Sequence, residues 1–503
     1  MITVLILLAA LGVLGWGFYR ALPFGKLGVL AWLQSVVLMA PWLAFFGLFA
    51  AGIYLNLAGM LLLFLISIGL YIFLGNRLRA AGADPAMLRR ASTLSSMAQP
   101  SKESEDPDAF RTDAETPSSQ TAESVKSVAE TETISIPPDD LKLIQGVFGV
   151  DTFFATETIP YGNGAIFKGN LRGDVEASHT KLSSNLAERV GERYRLFLMS
   201  GPDEKPVVIV LPSSNDSKPT TAIQWLLAIV LLLATIATSM ETAGLMLGFD
   251  FFINMSRVRE TLPITGGIVS ILAAHELGHR FLARRHQVRL SPPFFIPAWQ
   301  IGSFGAVTRI ESVLPNRNVL FDIAFAGPAI GGLVSLAILV IGLVLSRPDS
   351  LFQVPSEFFQ GSILVGALSK VILGEGLQEP LVSVNPLTLV GWLGLVLTAI
   401  NLMPAGQLDG GRIVQAIYGR KIAGRTTIIT LLVLGVVSLV NPLALYWAIV
   451  ILFLQRDLER PALNELSEPD DARAALGLLA LFLMAATLLP LTPNLAGRLG
   501  IGG

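Results

Sequence analysis

The apolar positions of this chain fall into long, nearly unbroken runs. A helix needs roughly 20 apolar residues to cross the hydrocarbon core of a bilayer. Such runs lie at about 2–19, 28–53, 54–75, 222–246, 263–284, 319–345, 383–403, 425–440, 442–455 and 474–490. The runs at 425–440 and 442–455 are short and meet at Asn441-Pro442, so they also fit one hairpin of partial spans. The pattern predicts an α-helical polytopic membrane protein of about 8–10 spans with a small α+β soluble insert.

The basic residues between these runs predict the orientation of the spans. They form clusters that begin at Arg20, Arg77, Arg280, Arg412 and Arg456. If successive spans alternate in direction, all of these clusters lie on one side, which the positive-inside rule assigns to the cytosol or its equivalent. The N-terminus is then outside. The first run is expected to stay as an anchor, because no basic stretch precedes it and no small-residue cleavage site follows.

Polar stretches divide the chain into regions. These are an N-terminal anchor of about three spans at 1–80, a disordered acidic linker rich in Ser, Thr and Pro at 81–138, a small α+β domain at 139–218, a transmembrane core at 219–460, and a C-terminal span with its tail at 461–503. The linker lacks the large apolar residues that would offset the entropy of ordering. The α+β domain is predicted to contain a short helix, two strands around Asn163, an amphipathic helix and two further strands. His179, on the amphipathic helix, is expected to be solvated.

The composition supports a membrane protein and excludes several other classes. Of 503 residues, 52% are hydrophobic and only 15% are charged, whereas soluble domains carry about 25% charged residues. The mean hydropathy is +0.61. The net charge of −2 lacks the basic field expected of a nucleic-acid-binding protein. With no cysteine, the chain has no disulfide, thiolate metal site or cysteine nucleophile, so any metal has to be held by carboxylates and by the four histidines.

Two of those histidines lie in the fifth apolar run, which reads GGIVSILAAHELGHRFLARR. His275 and His279 are four residues apart, so a helix projects both imidazoles from one face, close enough to bind one metal ion. Glu276 can reach the open position of that metal from the neighbouring face. Zn²⁺ lowers the pKa of a bound water to about 7, and a nearby carboxylate can then take its proton.

The position of this pattern inside an apolar run makes it more specific. A charged side chain at the bilayer centre costs about 2.5–3.5 kcal/mol on insertion scales, so ionisable residues on one buried turn indicate a function. The alternative is a histidine pair hydrogen-bonded to backbone or lipid headgroups near the end of the helix. A zinc site also needs a third protein ligand. The candidate carboxylates are Glu311, Asp322, Glu375, Glu379 and Asp409.

Asp409 is favoured among these carboxylates. It follows the seventh run in LTAINLMPAGQLDGGRIVQ, where Pro404 and several glycines break the apolar helix. Non-helical backbone at membrane depth is tolerated only where it lines protein or a watery cavity. The predicted topology also places Asp409 at a depth similar to that of the two histidines.

Together these residues resemble the site-2 protease family of intramembrane zinc metalloproteases. That family pairs an HExxH span with a later N-x-x-P…LDG motif, and this chain has HELGH at 275–279, NLMP at 401–404 and LDG at 408–410. The resemblance covers about 222–455. The residues GNLR at 169–172 resemble an element of the chloroplast EGY proteins and their cyanobacterial relatives, although a polar turn after a strand also explains them.

The resemblance implies a role for each matching residue. His275, His279 and Asp409 would be the ligands of Zn²⁺, and Glu276 would be the general base that activates the water. Asn401 would lie near the substrate backbone or the developing oxyanion.

Two further segments bear on the resemblance. The family's G-P-x-x-N element appears here as GPAIG, so Gly331 stands where the family has an asparagine, and the substrate-orienting amide of that position is missing. The segment 292–312 is too apolar for an aqueous loop. It would form a re-entrant β-hairpin that pairs with an unwound substrate, or an interfacial loop held by Trp299.

The implied function is that of a membrane-embedded zinc endopeptidase that carries out regulated intramembrane proteolysis near the cytosolic side. Its expected partners are membrane lipid and a membrane-anchored protein substrate, such as an anti-sigma factor or another single-span protein, and no nucleic acid. The protein is expected to be an integral, multi-pass protein of the plasma membrane, or of the thylakoid membrane if the source is photosynthetic. Two alternatives stay open, a membrane cation (zinc) transporter and a non-catalytic protease-like scaffold.

Overall fold

The computed structural model describes residues 136–501, apart from 202, 203, 300, 440 and 456, together with 25–50 and some positions between 15 and 77. The chain divides into two compact units, 1–130 with 431–454 and 131–430 with 455–503. In the first unit, helix α1 (Gly25–Ala50) covers most of the run at 28–53. Most of the predicted spans at 2–19 and 54–75, and positions 81–135 of the predicted linker, lie outside the described residues.

The polar insert forms the predicted succession of helices and strands. Its elements are α2 (Pro138–Gln145), β1 (Phe153–Tyr161), β2 (Gly164–Leu171), α3 (Val175–Val190), β3 (Tyr194–Ser200) and β4 (Pro206–Pro212). The strands form one antiparallel sheet in the order β1-β2-β4-β3. The apolar face of α3 packs on this sheet, and Phe153, Phe167, Leu182 and Leu198 are fully buried between the two layers.

Two details of this domain differ from the prediction. His179 is half-buried rather than solvated, because it lies on α3 beside the backbone of Leu196, and burial lowers the pKa of its imidazole. The GNLR residues do not form a turn, since Gly169 and Asn170 lie within β2 and pair with β1. A β-carbon on Gly169 would overlap the Phe154 carbonyl, so close approach of the two strands accounts for the glycine.

A segment near the C-terminus covers the edge strand β3. The Leu198 N–H donates to the Leu463 carbonyl at 2.7 Å, and the Glu465 N–H donates to the Leu198 carbonyl at 2.9 Å. The Leu463 N–H in turn donates to the Leu314 carbonyl at 2.8 Å. An unpaired sheet edge invites pairing with another chain, and these bonds remove that hazard. The same segment therefore ties the α+β domain to the chain that enters the helical region.

The described residues from 222 onward are mostly helical, with two small hairpins. Their elements are α4 (Ala222–Met246), α5 (Val258–Arg285), β5 (Phe294–Ala298), β6 (Gly302–Val307), α6 (Arg317–Leu345), β7 (Phe352–Pro355), α7 (Ile363–Leu373), β8 (Leu381–Val384), α8 (Pro386–Asn401), α9 (Asp409–Val437), α10 (Pro442–Val450), α11 (Asp471–Leu488) and α12 (Pro493–Leu499). Strands β5 and β6 pair with each other, as do β7 and β8. Helices α5, α6 and α8 form the centre of this region.

Small residues bring α5, α6 and α8 together. A β-carbon on Gly278 of α5 would lie 2.5 Å from the Ala326 carbonyl oxygen of α6, and one on Gly391 of α8 would overlap the Leu339 backbone of α6. Within a membrane, close packing of this kind replaces the hydrophobic effect as the force between helices. The glycines therefore set the short distances between the helix backbones.

Three helices in the described part of the chain are long and apolar enough to cross a membrane, namely α4, α6 and α11. Helix α8 is equally apolar but has only 16 residues. The mostly helical architecture agrees with the prediction, while the full count of spans stays a prediction.

The run at 425–440 lies in the second part of a broken helix. Helix α9 (Asp409–Val437) consists of two helices that meet at Gly419, where φ is 80°. Glycine adopts this backbone angle without strain, which explains why the residue at the break is a glycine. The following run forms α10 and then a π-helix at Ile451–Gln455.

A candidate metal centre on two helices

The ring nitrogens of His275 and His279 meet on one face of α5. Their Nε2 atoms lie 3.2 Å apart, as the four-residue spacing predicts. Asp409, the first residue of α9, brings its Oδ2 to 3.0 Å from His275 Nε2 and 3.3 Å from His279 Nε2. Among the described residues this is the one group of three that could hold a metal ion. The structure thus brings together the three side chains that the sequence singled out.

The distances between these atoms fit a tetrahedral ion. Ligands about 2.0–2.1 Å from Zn²⁺ in a tetrahedral site stand about 3.3–3.4 Å from one another, close to the separations observed. His279 Nδ1 lies 2.7 Å from the Ile323 carbonyl oxygen. Because a carbonyl only accepts, this bond places the proton on Nδ1 and leaves the Nε2 lone pair directed at Asp409. With His275 in its Nδ1–H tautomer, its Nε2, the Nε2 of His279 and the Oδ2 of Asp409 converge as three acceptor atoms, which is the chemistry of a cation site.

Two glycines of α6 make room for the histidines. A β-carbon on Gly327 would overlap the His279 ring, and one on Gly331 would lie 2.8 Å from the β-carbon of His275. Gly331 occupies the position where the family that this sequence resembles has an asparagine. In this chain the space that an asparagine would need is filled by the helix that carries the histidine.

The broken backbone between α8 and α9 positions Asp409. The Gly406 N–H donates to the Thr427 hydroxyl at 2.8 Å, so the loop folds back on α9. A β-carbon on Gly410 would overlap the Leu402 carbonyl, which explains why glycine follows the aspartate. Asp409 is 6% exposed. A compact, buried turn therefore holds it, rather than a solvated loop.

Glu276 lies on the same turn of α5, and its carboxylate has partners of its own. Its Oε2 accepts a hydrogen bond from the Thr308 hydroxyl at 2.9 Å, and its Oε1 lies 2.9 Å from Arg280 Nε. The sequence analysis assigned Arg280 only to a basic cluster. Its position four residues after Glu276 on a helix could have predicted this ion pair. Thr308 carried no signal, since a lone threonine after a strand is common.

Asn401 ends α8 beside the second hairpin strand. Its Nδ2 donates to the Leu397 carbonyl at 3.0 Å, and a β-carbon on Gly305 of β6 would lie 2.9 Å from that nitrogen. The structure thus places Asn401 against β6.

The other candidate carboxylates lie outside the metal group. Asp322 pairs with Arg473 at 2.7 and 2.9 Å, and Glu311 bonds to the Thr220 hydroxyl. Glu375 and Glu379 are exposed. Of the five carboxylates considered, only Asp409 reaches the histidines.

The segment 292–312 contains an antiparallel hairpin, as the resemblance implied. Phe294 pairs with Val307, and Ala298 pairs with Gly302. Trp299, near the turn, stacks on Phe252 with ring centroids 5.1 Å apart. The hairpin packs against α4, α5 and α8, so it lies beside the helix that carries the two histidines.

Comparison with known proteins adds a family context. Residues 142–219 match the family described as EGY3 middle domain, and residues 264–441 match Peptidase family M50. The chain is 38% identical to a "Probable zinc metalloprotease EGY2, chloroplastic" from Arabidopsis thaliana, over 71% of this chain and 66% of that protein. It is 38% identical to EGY1 of the same plant, over 73% of this chain and 74% of that protein. The matched EGY2 region is thus about two thirds of the relative's length, and no solved structure matches.

Proposed function

This chain belongs to peptidase family M50, the site-2 proteases, together with the EGY zinc metalloproteases, and on that premise we propose that it is an intramembrane endopeptidase. Its proposed substrate is a membrane-anchored protein, cut near the cytosolic side of the bilayer. The observation that carries the proposal is the convergence of His275, His279 and Asp409 on one point, with Glu276 on the same turn of α5.

We propose that His275, His279 and Asp409 hold the zinc and that Glu276 is the general base. When bound there, zinc supplies a Lewis acid for the scissile carbonyl and a water activated for attack. Glu276 would receive the proton of that water and pass it to the leaving amine. Ile323 keeps the proton of His279 on Nδ1, away from the metal side of the ring.

Hydrolysis at membrane depth also requires a strand-like partner for the substrate. A helix in lipid has all its backbone groups bonded internally, so a scissile segment has to unwind before attack. The hairpin of β5 and β6 offers such a partner beside the metal centre, with Asn401 against β6. Asn401 is proposed to contact the substrate backbone there.

The location and partners extend this proposal. The relatives carry "chloroplastic" in their names, and three helices among the described residues suit a membrane by length and composition. We therefore propose a multi-pass protein of about 8–10 spans in the plasma or thylakoid membrane of a photosynthetic cell. Its substrate class is a single-span protein, of which an anti-sigma factor is one candidate.

The test uses the full chain in liposomes with a single-span substrate that carries a tag on each side. The parent should bind zinc and cut the substrate. Glu276→Gln should keep its zinc and lose cleavage, and His279→Ala should lose both. Glu375→Gln, at an exposed glutamate, is the matched control and should behave as the parent. Undiminished cleavage by Glu276→Gln would overturn the mechanism, and zinc-dependent ion flux without cleavage would favour a transporter.

A further inference from the structure

Thr308 touches the carboxylate that is proposed to act as the base. It follows directly after β6, and its hydroxyl donates to Glu276 Oε2 at 2.9 Å. Both residues are buried, each at 7% exposure. A buried hydrogen bond of this kind is costly to break, because water cannot replace the lost partner. The bond therefore holds the carboxylate in one orientation.

The other partner of Glu276, Arg280, constrains the orientation of the carboxylate less than Thr308 does. Arg280 Nε lies 2.9 Å from Oε1, yet among the described residues Oε1 has no hydrogen bond of acceptable geometry. Arg280 is also engaged elsewhere, since its second guanidinium nitrogen donates to the Ser291 carbonyl at 2.8 Å. The ion pair thus contributes charge, while the hydroxyl of Thr308 is the one aligned donor that the described part of the chain offers to this carboxylate.

Thr308 is itself anchored to the helix that carries Asp409. The guanidinium of Arg412, one turn beyond Asp409 on α9, donates to the Thr308 carbonyl at 2.9 Å. The same guanidinium donates to Glu459 Oε2 at 3.0 Å in a buried ion pair. Because removing one partner of such a pair is strongly destabilising, Arg412 is a firm support. A continuous chain of bonds thus runs from Glu459 to Glu276.

We infer that Thr308 is a positioning residue, which fixes the orientation of the Glu276 carboxylate relative to the metal ligands. This inference rests on the proposed role of Glu276 as base. It also implies that the hairpin of β5 and β6 influences the position of Glu276. Since Thr308 continues β6, a displacement of that strand moves the hydroxyl, so the hairpin and the base shift together.

The experiment compares Thr308→Val, which keeps the shape and removes the donor, with Thr308→Ser, which keeps the donor. Thr308→Val should lower kcat by about 10- to 100-fold, the usual effect of removing a supporting hydrogen bond at a metal site. KM and zinc content should stay at the parent values, because substrate and metal contacts are unchanged. Thr308→Ser should restore kcat to within about threefold of the parent, since the donor returns. Thr426→Val, which removes a hydroxyl bonded within α9, should leave kcat unchanged.

The outcomes separate this inference from the proposed function. If Glu276→Gln is inactive while Thr308→Val cleaves like the parent, the positioning role is wrong and the proposed base stands. Loss of zinc or a general loss of stability in Thr308→Val, not rescued by serine, would also overturn it. An experimental structure of the zinc-loaded chain tests the bond without any substrate, and a Thr308 hydroxyl more than 3.5 Å from Glu276 would refute it.

Discussion

Gly331 lies directly against His275. A β-carbon on Gly331 would stand 2.8 Å from the β-carbon of His275, whereas one on the next residue, Gly332, would meet only the Thr398 methyl group at 3.4 Å. The two glycines are neighbours in α6, yet only the first limits the distance between α6 and the helix that carries the metal-site histidines.

This contrast predicts different effects for two alanine substitutions. Gly331→Ala should force α5 and α6 apart and lower the free energy of unfolding by about 1–3 kcal/mol, as overpacking does. It should also weaken zinc binding, because His275 moves with α5. Gly332→Ala should be nearly neutral in both respects. Thermal unfolding and zinc titration of the two variants check this, and equal effects would contradict the assignment.

Zinc should stabilise the folded protein through the proposed ligands. A ligand that binds only the folded state at 100 times its dissociation constant adds about 2.7 kcal/mol, so zinc should raise the Tm of the chelator-treated parent. Asp409→Asn and His279→Ala should lose most of that rise. Asp322→Asn should keep it, because Asp322 pairs with Arg473 and His286 instead. A zinc response that survives in Asp409→Asn but not in Asp322→Asn would reverse the choice of ligand.

Arg317 is predicted to secure the break in α9. Its guanidinium is buried and donates to the carbonyls of Ala416 and Ile417, each at 2.6 Å. The helix break at Gly419 leaves such carbonyls without their usual partners. Arg317→Met should therefore lower the free energy of unfolding by about 1–3 kcal/mol for each carbonyl left unsatisfied. Arg347→Met, at an exposed arginine, should have little effect on the Tm.

The α+β domain should show a pH-dependent contribution from Asp140. The Tyr194 hydroxyl and the Arg193 guanidinium hold the pKa of this carboxyl below its ordinary value. A carboxyl with a depressed pKa stabilises the fold above its unfolded pKa of about 3.9, and that stabilisation is lost as the pH falls through the folded pKa. Tyr194→Phe should raise the Asp140 pKa, seen in a carbon-13 carboxyl titration. Tyr161→Phe, at an exposed tyrosine, should leave it unchanged.

The parts of the site that sequence could predict are those with a local rule. His275 and His279 share a face because four residues make about one helical turn, and the structure brings their nitrogens together. Asp409 was marked by the glycines and proline around it, which signal a broken helix at membrane depth. The hairpin followed from the resemblance of its segment, and its strands pair in the structure.

Contacts without a local rule were missed. Thr308 meets Glu276 across 32 residues, and Arg412 meets Thr308 across 104 residues. No periodicity relates such positions, since their distance is set by how α5, β6 and α9 pack. The sequence also did not predict that a helix begins at Asp409. Charged residues between 409 and 425 interrupt the apolar pattern by which a spanning helix is recognised.

The sequence by itself determined the chemistry of this protein. Its lack of cysteine, its HELGH turn inside an apolar run and its LDG motif favoured His275, His279, Glu276 and Asp409 as the candidate groups for holding and using a metal. Only the tertiary structure decided the geometry. The separations near 3 Å among the three candidate ligand atoms, and the support of Glu276 by Thr308, depend on helix packing, which is fixed by side-chain shape over long chain separations rather than by any short pattern.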